Sequence, residues 1–269
     1  MNIFPTLFVS HGSPMLALQP GSTGPALEAW ARTHLQAQAP SAILVISPHW
    51  STREPRVGSA AQQQAWPDFG GFPPELYALQ YSPPGQPALA QRIVELLSAA
   101  GLPAQPDPQR PLDHGAWVPQ RYLRPGADIP VVQLSLQPQL SPAKQFAIGQ
   151  LLAPLRDEGV FILGSGSYTH NLRELDGGVQ GAVDETPSAP WVDEFRNWFD
   201  AHLQSGDLDA LDAYRSLAPH AQRAHPTDEH LLPLFVAWGA AGRGAKLRRF
   251  NAVVTHGTLA MDAYEFSAS

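Results

Sequence analysis

Short runs of almost uninterrupted apolar residues recur along the chain and set its framework: 6–10 (TLFVS), 42–47 (AILVIS), 131–136 (VVQLSL), 160–163 (VFIL) and 250–254. Runs of this length without polar alternation predict strands covered on both faces, as in a mainly parallel sheet. Between them the apolar spacing changes to three and four. In 87–100, Leu89, Ile93, Leu96 and Leu97 share one helical face, and Gly101 ends the pattern. A second helix is predicted from Ser141 as N-cap and Pro142 at the first helical position, through Phe146, Leu151, Leu152 and Leu155 to Gly159. A third begins near Pro190 and carries Trp191, Val192, Phe195, Trp198 and Phe199, a stripe that reads as core rather than cofactor contact. A further apolar helix is expected over 231–240, with Thr227 as its cap. Strands alternating with helices predict a single α/β domain over 1–269, with a central mixed, mostly parallel sheet and helices on both faces.

Composition narrows the function classes. At 43% hydrophobic and 15% charged residues the 269-residue chain has the balance of a globular protein with a substantial core. The net charge is −7, and the densest basic group, Lys246, Arg248 and Arg249, is too small for a nucleic-acid footprint. Neither nucleic acid nor an anionic membrane is expected as a partner. No apolar run reaches the ~18 residues of a membrane span. The N-terminal MNIFPTLFVSHGSP lacks the basic start and long apolar core of a signal peptide, so a cytoplasmic location is expected. With no cysteine, disulfides and thiolate metal sites are excluded, and any metal would be held by His, Asp or Glu.

Histidine is where the chemistry concentrates. His11 follows the first predicted strand, His49 the second, and His170 lies a few residues beyond the fourth. Ligands in open α/β sheets bind outside the carboxyl ends of strands, so these three can converge. His114 sits in Leu-Asp-His-Gly-Ala-Trp, and His230 closes His-Pro-Thr-Asp-Glu-His just before the apolar helix. The others have plainer readings. His34 belongs to the apolar face around Leu27, Trp30 and Leu35, His202 and His220 lie in polar surroundings, His256 precedes Gly257 in a turn, and His225 reads as a loop residue near the mouth of a site. Gly164-Ser165-Gly166-Ser167 lacks the lysine and spacing of a phosphate cradle. No His-Glu-x-x-His helix and no Gly-x-Ser-x-Gly elbow occurs.

The ordered segments His11-Gly12-Ser13-Pro14-Met15, Ser47-Pro48-His49-Trp50, Asp68-Phe69-Gly70-Gly71-Phe72-Pro73, Asp113-His114-Gly115-Ala116-Trp117, Thr169-His170-Asn171-Leu172 and Pro226-Thr227-Asp228-Glu229-His230 resemble the 4,5-DOPA dioxygenase group of class III extradiol ring-cleavage dioxygenases. The resemblance covers essentially the whole chain. It implies one divalent metal per chain, Fe(II) for dioxygenase activity or Zn(II), bound by His11, His49 and His230. His170 would be an acid/base beside the metal, and His114 a substrate- or oxygen-facing partner. Ser13, Trp50, Phe69 and Phe72 would contact the substrate, a small aromatic diol that reacts with O2. Relatives that cleave protocatechuate use two His and one Glu, a set suited to iron, so Glu229 remains a fallback third ligand. Three imidazoles also suit zinc. A zinc hydrolase using the same residues and a non-catalytic metal-binding scaffold remain the competing readings, and the assembly is expected to be a monomer or homodimer.

Overall fold

A computed structural model describes residues 3–36, 38–178 and 185–268. Its strands in chain order are β1 (Thr6–Ser10), β2 (Ala42–Ser51), β3 (Arg56–Gly58), β4 (Gln105–Asp107), β5 (Val131–Leu136), β6 (Val160–Gly166), β7 (Lys246–Asn251), β8 (Val254–Thr255), β9 (Leu259–Ala260) and β10 (Ala263–Ser267). Eight of them form one sheet in the order β4-β3-β5-β2-β6-β1-β10-β7. The inner four, β5-β2-β6-β1, run parallel. On one flank β10 pairs antiparallel with β1 and β7, and on the other β3 pairs antiparallel with β5. The expected mixed, mostly parallel sheet is therefore present.

Alternation along β2 explains why both faces are covered. Successive side chains of a strand point to opposite sides. Leu44 and Ile46 pack in one core with the helices Pro87–Ala99, Pro142–Leu152, Pro190–Ser205 and Leu232–Ala241. Ile43 and Val45 pack in a second core with the helices Thr23–His34 and His114–Leu123.

Three sequence expectations are corrected. The helix expected from Pro142 to Gly159 stops at Leu152, and a separate turn Pro154–Asp157 follows. Pro154 offers no N–H to continue the hydrogen-bond ladder, although Ala153 before it keeps helical backbone angles. Ser141 does occupy the N-cap, but its side chain makes no capping hydrogen bond. The run 250–254 is divided, because β7 ends at Asn251 while β8 pairs with β9 in a separate two-stranded sheet. Leu231, not Thr227, is the N-cap of the last helix, and the Thr227 hydroxyl donates to Glu229 Oε1 instead.

The topology places β2, β6 and β1 side by side, so their carboxyl ends open onto one crevice. β2 leaves its ladder there. Its register with β5 shifts between Ser47 and Ser51, a bulge that contains Pro48, which has no N–H to contribute. His49 projects from that irregularity. No helix among the described residues is long and apolar enough to cross a membrane.

Candidate metal centre and catalytic pocket

Five imidazoles meet at this crevice. His11 leaves β1 with its N–H donated to Gly166 O at 2.9 Å, and Gly12 turns the chain sharply at φ +60. That φ lies in the left-handed region that glycine adopts without strain. His114 opens the helix His114–Leu123, whose N-cap Asp113 accepts from the Ala116 N–H. His170 and His230 arrive on two segments clipped together by Ser167 N–H to His230 O at 2.8 Å and His170 N–H to Ala224 O at 2.7 Å.

The rings of His11, His49 and His230 form a nearly equilateral triangle, with centroids 5.1 Å apart for His11 and His49, 5.5 Å for His11 and His230, and 5.0 Å for His49 and His230. Nε2 of His11 and Nε2 of His49 are 3.1 Å apart. Two imidazole nitrogens bound to one ion at ~2.0–2.1 Å lie roughly 3.0–3.4 Å from each other, so this pair already has the spacing of shared coordination. His114 is close as well. Its ring is 3.9 Å from that of His49, and its ligand atom falls within 4.8 Å of those of His11 and His49, as do the atoms of His170, Glu229 and His230 among themselves. Distance alone therefore leaves more than three candidate ligands.

The hydrogen bonds behind the rings are more discriminating. Ser165 Oγ donates to Gly115 O at 2.5 Å, so at 3.0 Å it accepts from His11 Nδ1–H. Glu229 Oε1 accepts from His230 Nδ1–H at 3.1 Å. Both rings are thereby fixed in the tautomer that turns an unprotonated Nε2 toward the crevice, the usual arrangement behind a metal-binding histidine. Nε2 of His230 is buried and has no hydrogen-bond partner among the described residues, a state that is costly unless an acceptor of its lone pair is present. A divalent ion fits this donor set. Asp68 Oδ1 holds His114 in the same manner, accepting from its Nδ1–H at 2.8 Å and from its backbone N–H at 2.9 Å.

The electrostatics agree. Burial, then the neighbouring imidazoles, hold His11 and His230 well below the usual histidine range. His49 is lowered to about 4, chiefly by burial and next by His114. His170 is lowered to about 3 by burial and by the charges of His225, His49 and His114. All four are neutral at pH 7 and present lone pairs. Burial pushes the Asp68 carboxyl up, but its hydrogen bond and charge interaction with His114 outweigh that and leave it below its ordinary value.

These shifts fix a pH dependence. An unfolded chain protonates a histidine near pH 6.5, whereas the fold keeps His11, His49, His170, His225 and His230 neutral below that, so stability present above pH 6.5 is lost as pH falls toward the folded values. Fully buried His225, lowered to about 4, alone contributes roughly 3 kcal/mol over that interval. The melting temperature of the metal-free protein is expected to fall steadily between pH 6.5 and 4.5. A flat profile there would show that these imidazoles are not neutral by virtue of the fold.

Of the substrate-contact residues expected from the sequence, Ser13, Phe69 and Phe72 line a cavity of about 300 Å³ together with His11, His49, His114, His170 and His230. Trp50 does not. Next to His49 in β2, it is buried away from the cavity under the Arg110 guanidinium, 5.2 Å from the ring centre. His225 is also displaced from its expected place at the mouth. It is fully buried, with Nε2 at 2.9 Å from Tyr168 O. His34 stacks on Trp30, His202 and His220 pair with Asp207 and Glu194, and His256 sits in its turn at φ +52.

Sequence reading missed Ser165, Asp68 and Glu229 as residues that orient imidazoles, and Leu175 and Leu259 as pocket walls. It also missed what Gly115 does. A Cβ there would lie 2.4 Å from Ser47 Oγ and 3.1 Å from both His11 Cε1 and His49 Cδ2. Gly115→Ala is expected to spread the two rings and weaken zinc or cobalt binding by about 10–100-fold, the usual penalty for disturbing the support of a ligand. Unchanged affinity in a direct metal titration would show that the rings tolerate the displacement.

Comparison with known proteins matches residues 5–262 to the family described as the catalytic LigB subunit of aromatic ring-opening dioxygenase. The chain is 42% identical to a Beta vulgaris protein named 4,5-DOPA dioxygenase extradiol, over 100% of this chain and 98% of that one. It is 38% identical to the Escherichia coli K12 protein of the same name, over 88% and 84% of the two chains. The crystal structure of an uncharacterised protein from Escherichia coli K12 superposes with a TM-score of 0.77 at 30% identity, covering 97% of this chain and 99% of that one.

Proposed function

The chain belongs to the family of the catalytic LigB subunit of aromatic ring-opening dioxygenases, and from that premise we propose that a single catalytic domain over 1–269 opens the ring of a catechol with O2, using one Fe(II) held by Nε2 of His11, His49 and His230. What carries the reading is the pair of oriented tautomers: Ser165 behind His11 and Glu229 behind His230 leave two buried, neutral nitrogens aimed at the position His49 also reaches. The bound metal would supply the Lewis acidity that lowers the pKa of the catechol hydroxyl and the electronic path to O2.

The protein's own residues do the rest. His170, unprotonated because of burial, is available to take a proton from the substrate hydroxyl at a ring nitrogen and to return it later in the cycle. His114, whose Nδ1–H is committed to Asp68, is left with Nε2 to accept a hydrogen bond from the second hydroxyl or to face the oxygen. Phe69 and Phe72, edge-to-face at 5.2 Å, wall the ring and exclude water. Zinc in the same site would bind without oxygen chemistry.

The test is anaerobic loading with Fe(II) followed by exposure to O2 and a panel of substituted catechols, beginning with the DOPA named for the relatives. Oxygen consumption matched by product absorbance is expected. Stoichiometric iron with no oxygen uptake from any catechol would overturn the proposal.

A further inference from the structure

Beyond the imidazoles, the walls of the cavity are Pro14, Phe69, Phe72, Leu172, Leu175 and Leu259, and among the described residues lining it none is Lys, Arg, Asp or Glu. The Ser13 hydroxyl accepts from the Met15 N–H, capping the turn that follows. Arg173, beside Leu172, is exposed and is not among the residues lining the cavity, and other charged groups nearby are engaged elsewhere. Arg110 donates to His49 O and Asp113 from behind the sheet end. Arg223 holds Glu174 with both its Nε and Nη2 at the surface. Asp68 is committed to His114 and Glu229 to His230. The apolar surface continues outward at the mouth, where Leu172 is 51% exposed and Tyr77, packed on Phe69, is 40% exposed.

From this lining we infer that the site selects catechols bearing an uncharged alkyl or aryl substituent over those carrying a carboxylate or an amino acid side chain. The inference rests on the ring-opening reading above and concerns only what hangs from the ring. A carboxylate on the substituent of a ring whose hydroxyls occupy the metal loses water against these walls and meets no Lys or Arg among the described lining residues, an unfavourable exchange. An alkyl chain instead buries apolar area against Phe72, Leu172 and Leu175. The volume, near the lower end of the ~300–1,000 Å³ found for ligand pockets, admits one ring with a short substituent, and a longer one extends over Leu172 and Tyr77.

Two measurements test this. With Fe(II)-loaded enzyme, kcat/KM is expected to rise on the order of 10-fold from 4-methylcatechol to 4-propylcatechol, following the gain per buried methylene. L-DOPA and 3,4-dihydroxyphenylacetate are expected to be at least about 10-fold poorer than 4-propylcatechol. With zinc-loaded protein, calorimetric titration is expected to give the same affinity order, with a negative heat-capacity change for the alkyl compounds. Leu175→Arg is expected to narrow or reverse the preference for 4-propylcatechol over 3,4-dihydroxyphenylacetate. Equal or better turnover and binding of the carboxylates by the unaltered protein would overturn the inference while leaving ring opening intact. An absence of turnover with every catechol would instead sink the ring-opening reading, and the zinc titration would still decide what the pocket prefers.

Discussion

Replacing His230 with alanine is expected to empty the metal centre and abolish ring-opening turnover, while Glu229→Gln is expected to keep the metal with affinity lowered about 10–100-fold. The two residues are adjacent in sequence, yet the structure assigns them different geometry. His230 is 5% exposed, its Nε2 is buried with no hydrogen-bond partner among the described residues, and its ring closes the triangle with His11 and His49. The Glu229 carboxylate lies on the opposite, Nδ1 side of that ring, and it also accepts from Thr227 Oγ1 at 3.0 Å. A carboxylate so placed fixes the tautomer and raises the basicity of the ligand. His114→Ala is the necessary control, because His114 is as close to His49 as any residue in the cluster. It is expected to retain stoichiometric metal and lose turnover. Metal content by elemental analysis decides the matter. Full occupancy in His230→Ala together with loss in Glu229→Gln would transfer the third position to the carboxylate, and loss in His114→Ala would transfer it to that imidazole.

The framework of this site was legible in the sequence because apolar runs of strand length announce themselves locally. Thr6–Ser10 and Val131–Leu136 stand where the pattern puts them, and the histidines that follow strands fall at the carboxyl end of the sheet. What depended on long-range partners was not legible. Ser165 contacts a histidine 154 positions away, and Asp68 one 46 positions away, and no local pattern couples such pairs. Trp50 was misplaced for a simpler reason. It neighbours His49, but adjacent residues of a strand face opposite sides, and the run 42–47 gave no sign that β2 continues through Pro48 to Ser51. His225 lies in a polar sequence, yet its ring is buried beside Phe195 and Tyr214, because the segment that carries it is folded under the loop holding His170.

His170→Ala is expected to leave metal content unchanged, alter KM only a few-fold, and lower kcat by about 10²–10⁴-fold, the range for loss of a general acid or base. The backbone around it is held without the imidazole: His170 N–H donates to Ala224 O at 2.7 Å, Asn171 Nδ2 to Arg223 O at 2.8 Å, and His225 Nε2 reaches Tyr168 O at 2.9 Å. Truncation at Cβ therefore removes chemistry and not the loop. Among the described residues nothing hydrogen-bonds the ring nitrogens of His170, and the ring lies flat on His230 at 3.4 Å and 9°. The ring also lines the cavity, so an unprotonated nitrogen at its edge is available to a bound substrate, and the assignment as proton carrier rests on the oriented tautomers of His11 and His230 supplying the ligands. Two results would oppose this assignment in different ways. Loss of the metal would mean that His170 coordinates it, as its proximity to Glu229 and His230 permits. Retention of metal with undiminished kcat would leave the proton transfers to His114, the other imidazole on the wall of the pocket.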